Sequence, residues 1–280
     1  MSVRAGIGES PNYFVSLFAL VWLSFAPLLR PPSHSRRAEA ARRLARHALL
    51  TVAIVSALIV ALMYGLDARE IGLMPARGTP GLWPVRILTD FGKDTYVLAA
   101  LAGLLFVIVL VSANRRGRLR AAWLGLGLHV QFLFFAVLAP LLAGELIKWA
   151  VGRGRPFVGG QANPFNFAPF TGTEAYASFP SAHAITAFAL AFAVAAVWPR
   201  ARLAMIAYAA LIAASRLVLL AHHPSDVVAG GLIGVVGAMA VRYWFAARRL
   251  GFAIHRDGEI VPLRSVSGHL KRVAGRPSAS

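Results

Sequence analysis

The sequence predicts an all-α fold: a polytopic membrane helix bundle with six core transmembrane helices and a possible extra N-terminal apolar helix. Three observations carry this. First, 58% of the 280 residues are hydrophobic and only 14% are charged, where a soluble domain carries about 25% charged residues. Second, apolar runs of membrane length recur, without the polar faces that a soluble amphipathic helix shows. Third, 20 of the 29 Lys and Arg residues fall in 30–46, 115–120, at 200 and 202, and in 242–276. These are alternate connections, as expected of cytoplasmic loops.

The first apolar run, 13–29, is short for a span and either crosses the bilayer or lies in its interface. Arg30-Pro31-Pro32 follows it where a cleaved signal would have small residues, so cleavage is not expected. Residues 1–46 are read as this apolar segment plus a basic cytoplasmic linker. The membrane domain is placed at 47–246, with helices at about 47–65, 95–113, 121–144, 181–199, 202–221 and 226–246. The loops at 114–120 and 200–202 are basic and are assigned to the cytoplasm. The loop at 66–94 balances four acidic against four basic residues and is assigned outside, and 145–180 follows it there. Residues 247–280, rich in Pro, Gly, Ser and Arg, are expected to be a loose basic cytoplasmic tail. In the sixth helix Gly230 and Gly234 form a small-xxx-small pair that favours close helix packing.

The formal charge of +18 raises the question of nucleic acid. No basic stripe is interleaved with stacking aromatics, so no nucleic-acid partner is expected. The absence of cysteine excludes disulfides, thiolate catalysis and cysteine metal sites.

On this topology three polar clusters reach one face: Lys148–Pro156, Pro180–His183 and Ser215–Asp226. Ionisable groups beside membrane-length segments are costly and mark function. Lys148, Arg155 and Arg216 repel one another unless an anion joins them, and planar guanidinium forks suit phosphate. Lys148 alone fits snorkelling equally well. Pro180-Ser181 opens a helix whose free N–H groups suit an anion, and Ser181 also fits a cap. His183 and His222 lie on different helices, so one imidazole can attack phosphorus while the other protonates the leaving oxygen in line. Asp226 can orient an imidazole or cap the sixth helix. These residues alone do not decide between His222 and His223 as its partner. A zinc site built from His183, His222, His223 and Asp226 lacks the H-E-x-x-H spacing, and three cations oppose it. No cofactor or metal is expected.

Lys148 with Arg155-Pro156, then Pro180-Ser181-Ala182-His183, then Ser215-Arg216 with His222 and Asp226, together resemble the three signature motifs of the type 2 phosphatidic acid phosphatase family. That family is related to the vanadium haloperoxidases. The resemblance implies metal-independent hydrolysis of a lipid phosphate through a phosphohistidine intermediate. It implies His222 as nucleophile, Asp226 as its orienting partner, and His183 as acid for the leaving group and base for water. Lys148, Arg155, Ser181, Ala182 and Arg216 would bind the phosphate. Where the family usually has glycine, this chain has Ala182, which keeps the N–H but adds a methyl and loses left-handed backbone angles.

The implied substrate is a lipid phosphate or diphosphate of the phosphatidic acid, phosphatidylglycerol phosphate, polyprenyl diphosphate or lipid A type. It would enter sideways from the bilayer at the periplasmic face of the inner membrane. Phe157, Phe165, Phe167, Phe170, Tyr176 and Phe179 could flank its tail or form an interfacial belt. The alternative is a non-catalytic protein of the same fold that binds phosphorylated lipid. A transporter fits less well, because the charges cluster at helix ends and not at broken helices.

Overall fold

A computed structural model describes residues 13–160, 162–255 and 260–263. Its helices are α1 (Tyr13–Leu29), α2 (His34–Gly65), α3 (Asp67–Leu73), α4 (Trp83–Asp90), α5 (Asp94–Ala113), α6 (Gly117–Val151), α7 (Ala182–Val197), α8 (Arg202–Val218) and α9 (Pro224–Ala247). Two short antiparallel strands follow, β1 (Phe252–Ile254) and β2 (Ile260–Pro262).

The six core helices are all present. Five helical stretches are long and apolar enough to cross a membrane: His34–Gly65, Pro80–Ala113, Gly117–Val151, Pro199–Val218 and Pro224–Ala247. At 16 residues, α7 is about 24 Å long, short of the ~30 Å hydrocarbon core. It is enclosed by α6, α8 and α9, so its neighbours shield both ends.

Three boundaries differ from the sequence reading. The basic stretch assigned to a linker is helical from His34, because Ala, Leu and Arg in 37–46 are strong helix formers. α6 continues to Val151 and carries Lys148 in its last turn. It stops at Gly152, whose φ of +56° is left-handed, and a Cβ there would overlap the Ala168 carbonyl. The 66–94 loop is not featureless, since it folds into α3 and α4.

The tail is also corrected in part. Residues 252–254 and 260–262 pair as a hairpin, and Phe252 is completely buried. Its ring lies 4.7 Å from Phe132, which also packs edge-on to Phe245 at 5.4 Å. Apolar Phe252, Ile254 and Ile260 explain the docking: leaving them exposed forfeits about 1.5–3 kcal/mol for each large side chain. The rest of the tail, from residue 264, lies outside the described residues.

The small-xxx-small pair lies on the α7–α9 contact. A Cβ on Gly230 would come 2.5 Å from the Ser181 carbonyl oxygen, and one on Gly234 would come 2.5 Å from that of Ile185. These two glycines therefore let α9 approach the backbone that opens α7. That closeness brings the second and third polar clusters together.

Candidate active site

The site forms where the C-terminal end of α6 and the N-terminal ends of α7 and α9 meet the α8–α9 turn. Ser181 precedes α7 and its carbonyl accepts the first helical bond from Ile185 at 3.0 Å. The N–H groups of Ala182, His183 and Ala184 therefore have no acceptor within the helix. Ser181 occupies the cap position, yet its hydroxyl makes no capping bond and is buried without a protein partner. Its backbone N–H donates to the Asp226 carbonyl at 3.1 Å. Ala182 sits in ordinary helical backbone, so the left-handed freedom of glycine is not needed there.

His222 lies in the turn between α8 and α9 and is buried. Its Nδ1 is 2.7 Å from the Ser178 carbonyl oxygen. A carbonyl can only accept, so Nδ1 carries the proton and Nε2 keeps its lone pair. Burial holds the imidazole pKa well below its ordinary value, and the Arg216 and Arg155 charges push it the same way. The ring is therefore neutral at physiological pH. His183, in the first turn of α7, lies close enough to act on His222 electrostatically. Arg216, Lys148, Lys93 and Arg155 are the charges that act on His183.

The predicted cations thus gather around the two histidines, each with a different anchor. Arg216 donates to Thr89 Oγ1 at 2.8 Å, and its Nε has no protein partner. Arg155 donates to the Glu174 carbonyl at 3.0 Å and to its carboxylate at 3.4 Å. Lys148 pairs with Glu145 one turn earlier on α6. Burial lowers the Arg155 pKa, the Glu174 carboxylate opposes this, and the neighbouring Arg77 charge adds to it.

Asp226 departs from its expected place. Its carboxylate oxygen is 4.0 Å from His222 Nδ1, too far for a hydrogen bond. Instead it accepts from Ser178 Oγ at 2.6 Å, the His223 backbone N–H at 2.9 Å and Arg153 Nη1 at 2.5 Å. The direct orienting acceptor of His222 is the Ser178 carbonyl, and Asp226 reaches the ring through Ser178. The bond to the His223 N–H also makes Asp226 a first-turn cap of α9. The His223 ring is buried, and neither nitrogen has a protein partner, so it does not compete for the carboxylate.

Sequence reasoning missed four residues here: Asp67, Arg153, Ser178 and Ser225. Arg153 is completely buried and also donates to Asp67 at 2.8 Å, to Ser225 Oγ at 2.6 Å and to the Pro164 carbonyl at 2.9 Å. The available signal was Asp67-Ala-Arg-Glu70, two acids three apart directly after a membrane-length apolar run.

Glu70 belongs to the same region and is 3% exposed. Burial raises its pKa from 4.5 to about 7, and Asp67 and Asp226 push it further up. The folded state therefore holds this proton more tightly than the unfolded chain. Its contribution to stability is full below the unfolded value and is lost as the pH rises through about 7. Glu70→Gln should then raise the melting temperature in detergent at about pH 8 and leave it unchanged at about pH 4.5. An equal change at both pH values would rule out titration of this carboxyl.

The chain is similar to known proteins. The family model of the PAP2 superfamily matches residues 129–250. A lipid A 1-phosphatase of Rhizobium johnstonii is 34% identical over 178 residues, covering 61% of this chain and 71% of that protein. A lipid A 1-phosphatase of Rhizobium etli is 33% identical over 178 residues, covering 61% and 75%. No solved structure matches the chain.

Proposed function

Because the chain belongs to the PAP2 superfamily, we propose that it is an integral membrane phosphatase that removes a phosphate from a membrane lipid, with His222 as the nucleophile. The observation that carries this is the hydrogen bond from His222 Nδ1 to the Ser178 carbonyl at 2.7 Å. It leaves Nε2 as a neutral, fixed lone pair among Arg155, Arg216 and the open first turn of α7.

The chemistry follows from these positions. The phosphate rests on Arg155, Arg216, Lys148, Ser181 Oγ and the Ala182 and His183 N–H groups. His222 Nε2 forms the bond to phosphorus while the ester P–O bond breaks, and His183, carrying a proton taken up together with the bound phosphate anion, gives that proton to the departing oxygen. The imidazolium ring so formed keeps its Nδ1–H on the Ser178 carbonyl and gains from Asp226 at 4.0 Å. His183 then takes a proton from water, the water oxygen attacks phosphorus, and the P–N bond breaks to release inorganic phosphate. The non-catalytic reading leaves the unpartnered Ser181 hydroxyl and the Nε2 lone pair without a role.

The substrate best supported is lipid A bearing a phosphate at position 1, because both similar proteins are named for that reaction. Phe157, Phe165, Phe167 and Phe170 are substantially exposed near the site, where they suit contact with the bilayer or the lipid itself. The basic connections support an orientation with this face outside the cytoplasm, in a cytoplasmic membrane whose outer side is the periplasm. The membrane domain is taken from α2 through α9, with the β1–β2 hairpin packed on it.

The test is a panel in detergent micelles: lipid A, phosphatidic acid, phosphatidylglycerol phosphate and a polyprenyl diphosphate. Phosphate release is expected to be fastest from lipid A and to leave the other phosphate of that lipid in place. Faster release from a glycerophospholipid overturns the substrate choice, and release from none overturns the activity.

A further inference from the structure

A buried group of charges lies behind His222, on the side away from the phosphate-binding arginines in the hydrogen-bond chain. Arg153 and Asp226 are 2.5 Å apart and Arg153 and Asp67 are 2.8 Å apart, with all three side chains at 0% exposure. Ser225 is tied to both sides: it receives from Arg153 at 2.6 Å, and its backbone N–H donates to Asp67 Oδ1 at 3.0 Å. Its hydroxyl also donates to Asp67 Oδ2. Asp67 begins α3, far from all three motifs in sequence, and it closes the arrangement.

Such a group is costly to build, since each buried ion forfeits several kcal/mol of hydration. A cheaper way to hold α3 against α9 is apolar contact. The arrangement makes sense as a device acting on Asp226. Without Asp67, the Arg153 charge would fall wholly on Asp226 and cancel its field at His222. With Asp67 sharing Arg153, the group carries a net negative charge, with Glu70 protonated, and Asp226 keeps its field. Ser178 then joins this group to the ring: its hydroxyl donates to Asp226 at 2.6 Å and its carbonyl holds Nδ1 at 2.7 Å.

We propose that Asp67 and Arg153, with Ser225, are positioning residues that hold Asp226 and Ser178 and so fix the ring of His222 and the charge it feels. Neither Asp67 nor Arg153 touches substrate. The inference rests on His222 being the nucleophile, and the experiment separates the two claims.

Asp67→Asn keeps the shape and removes the charge. The expected result is a kcat lower by roughly 10- to 100-fold, the range found when outer partners of a functional histidine are removed. KM and inhibition by inorganic phosphate should stay unchanged, because Lys148, Arg155 and Arg216 are untouched. The acid limb of kcat should move to lower pH. With the Asp67 charge lost, Arg216, Arg155, His183 and an Asp226 fully offset by Arg153 face His222, and its imidazolium form becomes less favoured. A purely structural role for Asp67 would lower the folded fraction without moving that limb. Wild-type kcat and pH profile in folded Asp67→Asn overturn the proposal. If Asp67→Asn does not fold, Ser225→Ala decides: a several-fold loss in kcat at constant KM supports the proposal, and unchanged kcat rejects it. A wild-type protein that releases no phosphate from any lipid defeats the underlying reading instead.

Discussion

His222→Ala is expected to lower phosphate release by on the order of 10⁴-fold or more, the scale of loss when a covalent nucleophile is removed. The structure makes the effect specific to this ring. Nδ1 is committed to the Ser178 carbonyl, so Nε2 is the single lone pair that can attack. His223 is adjacent in sequence, but its ring is completely buried and makes no hydrogen bond to the Ser178 carbonyl. Binding should survive, because the cations and the α7 N-terminus remain, so inorganic phosphate should inhibit substrate turnover of active enzyme and bind the variant with similar affinity. Acid quenching during turnover should trap an acid-labile phosphoenzyme in wild type and in His223→Ala, and none in His222→Ala. Phosphate found on residue 223 would falsify the assignment. Because burial and the two arginines hold His222 neutral, the attack step should not lose its nucleophile to protonation until well below the ordinary histidine range. The opposite outcome, a loss of kcat centred at the ordinary histidine pKa, would mean that the ring is solvated.

Much of this was legible in the sequence, and the reason is periodic hydrophobicity. Six long apolar runs mark the core helices, and the alternation of basic loops predicts three polar clusters on one face. The boundaries were less legible, because Arg and Ala in 36–46 are good helix formers with no apolar signature and because Glu145 and Lys148 interrupt the apolar run of α6. The hairpin after Gly251 was missed because its two strands are three residues each, too short for an alternation to stand out. At the site, the residue types pointed to groups suited to phosphate, but not to which atoms bond to which. Asp226 lies four residues from His222, a spacing that permits contact, yet Ser178 takes the bond from both sides. Nothing local to Asp67 or Arg153 announces their pairing, because it joins positions 86 residues apart. Within Gly-Arg-Gly-Arg-Pro the two arginines look alike, and only the fold separates Arg153, buried against Asp67 and Asp226, from Arg155, which donates to the largely exposed Glu174.

That separation predicts opposite outcomes for two nearly adjacent substitutions. Arg153→Ala should destabilise the fold by about 3–5 kcal/mol, the usual cost of removing one partner from a buried ion pair. The cost arises because Asp67 and Asp226 remain at 0% exposure with no cation between them, while the Pro164 carbonyl also loses its donor. The variant relieves this by protonating one carboxylate or by admitting water, and both loosen α3 from α9. Thermal unfolding in detergent should fall sharply for Arg153→Ala. Arg155→Ala should melt near wild type, since its carboxylate partner Glu174 is largely exposed and such pairs contribute about 0–1 kcal/mol. Its loss should appear in substrate affinity instead, because a charge-assisted contact to phosphate is removed. If the two variants show the reverse pattern, with Arg153→Ala stable and Arg155→Ala unfolded, then the inward and outward roles have been exchanged, and the hydrogen bonds that tie Asp226 to Arg153 do not hold the molecule together.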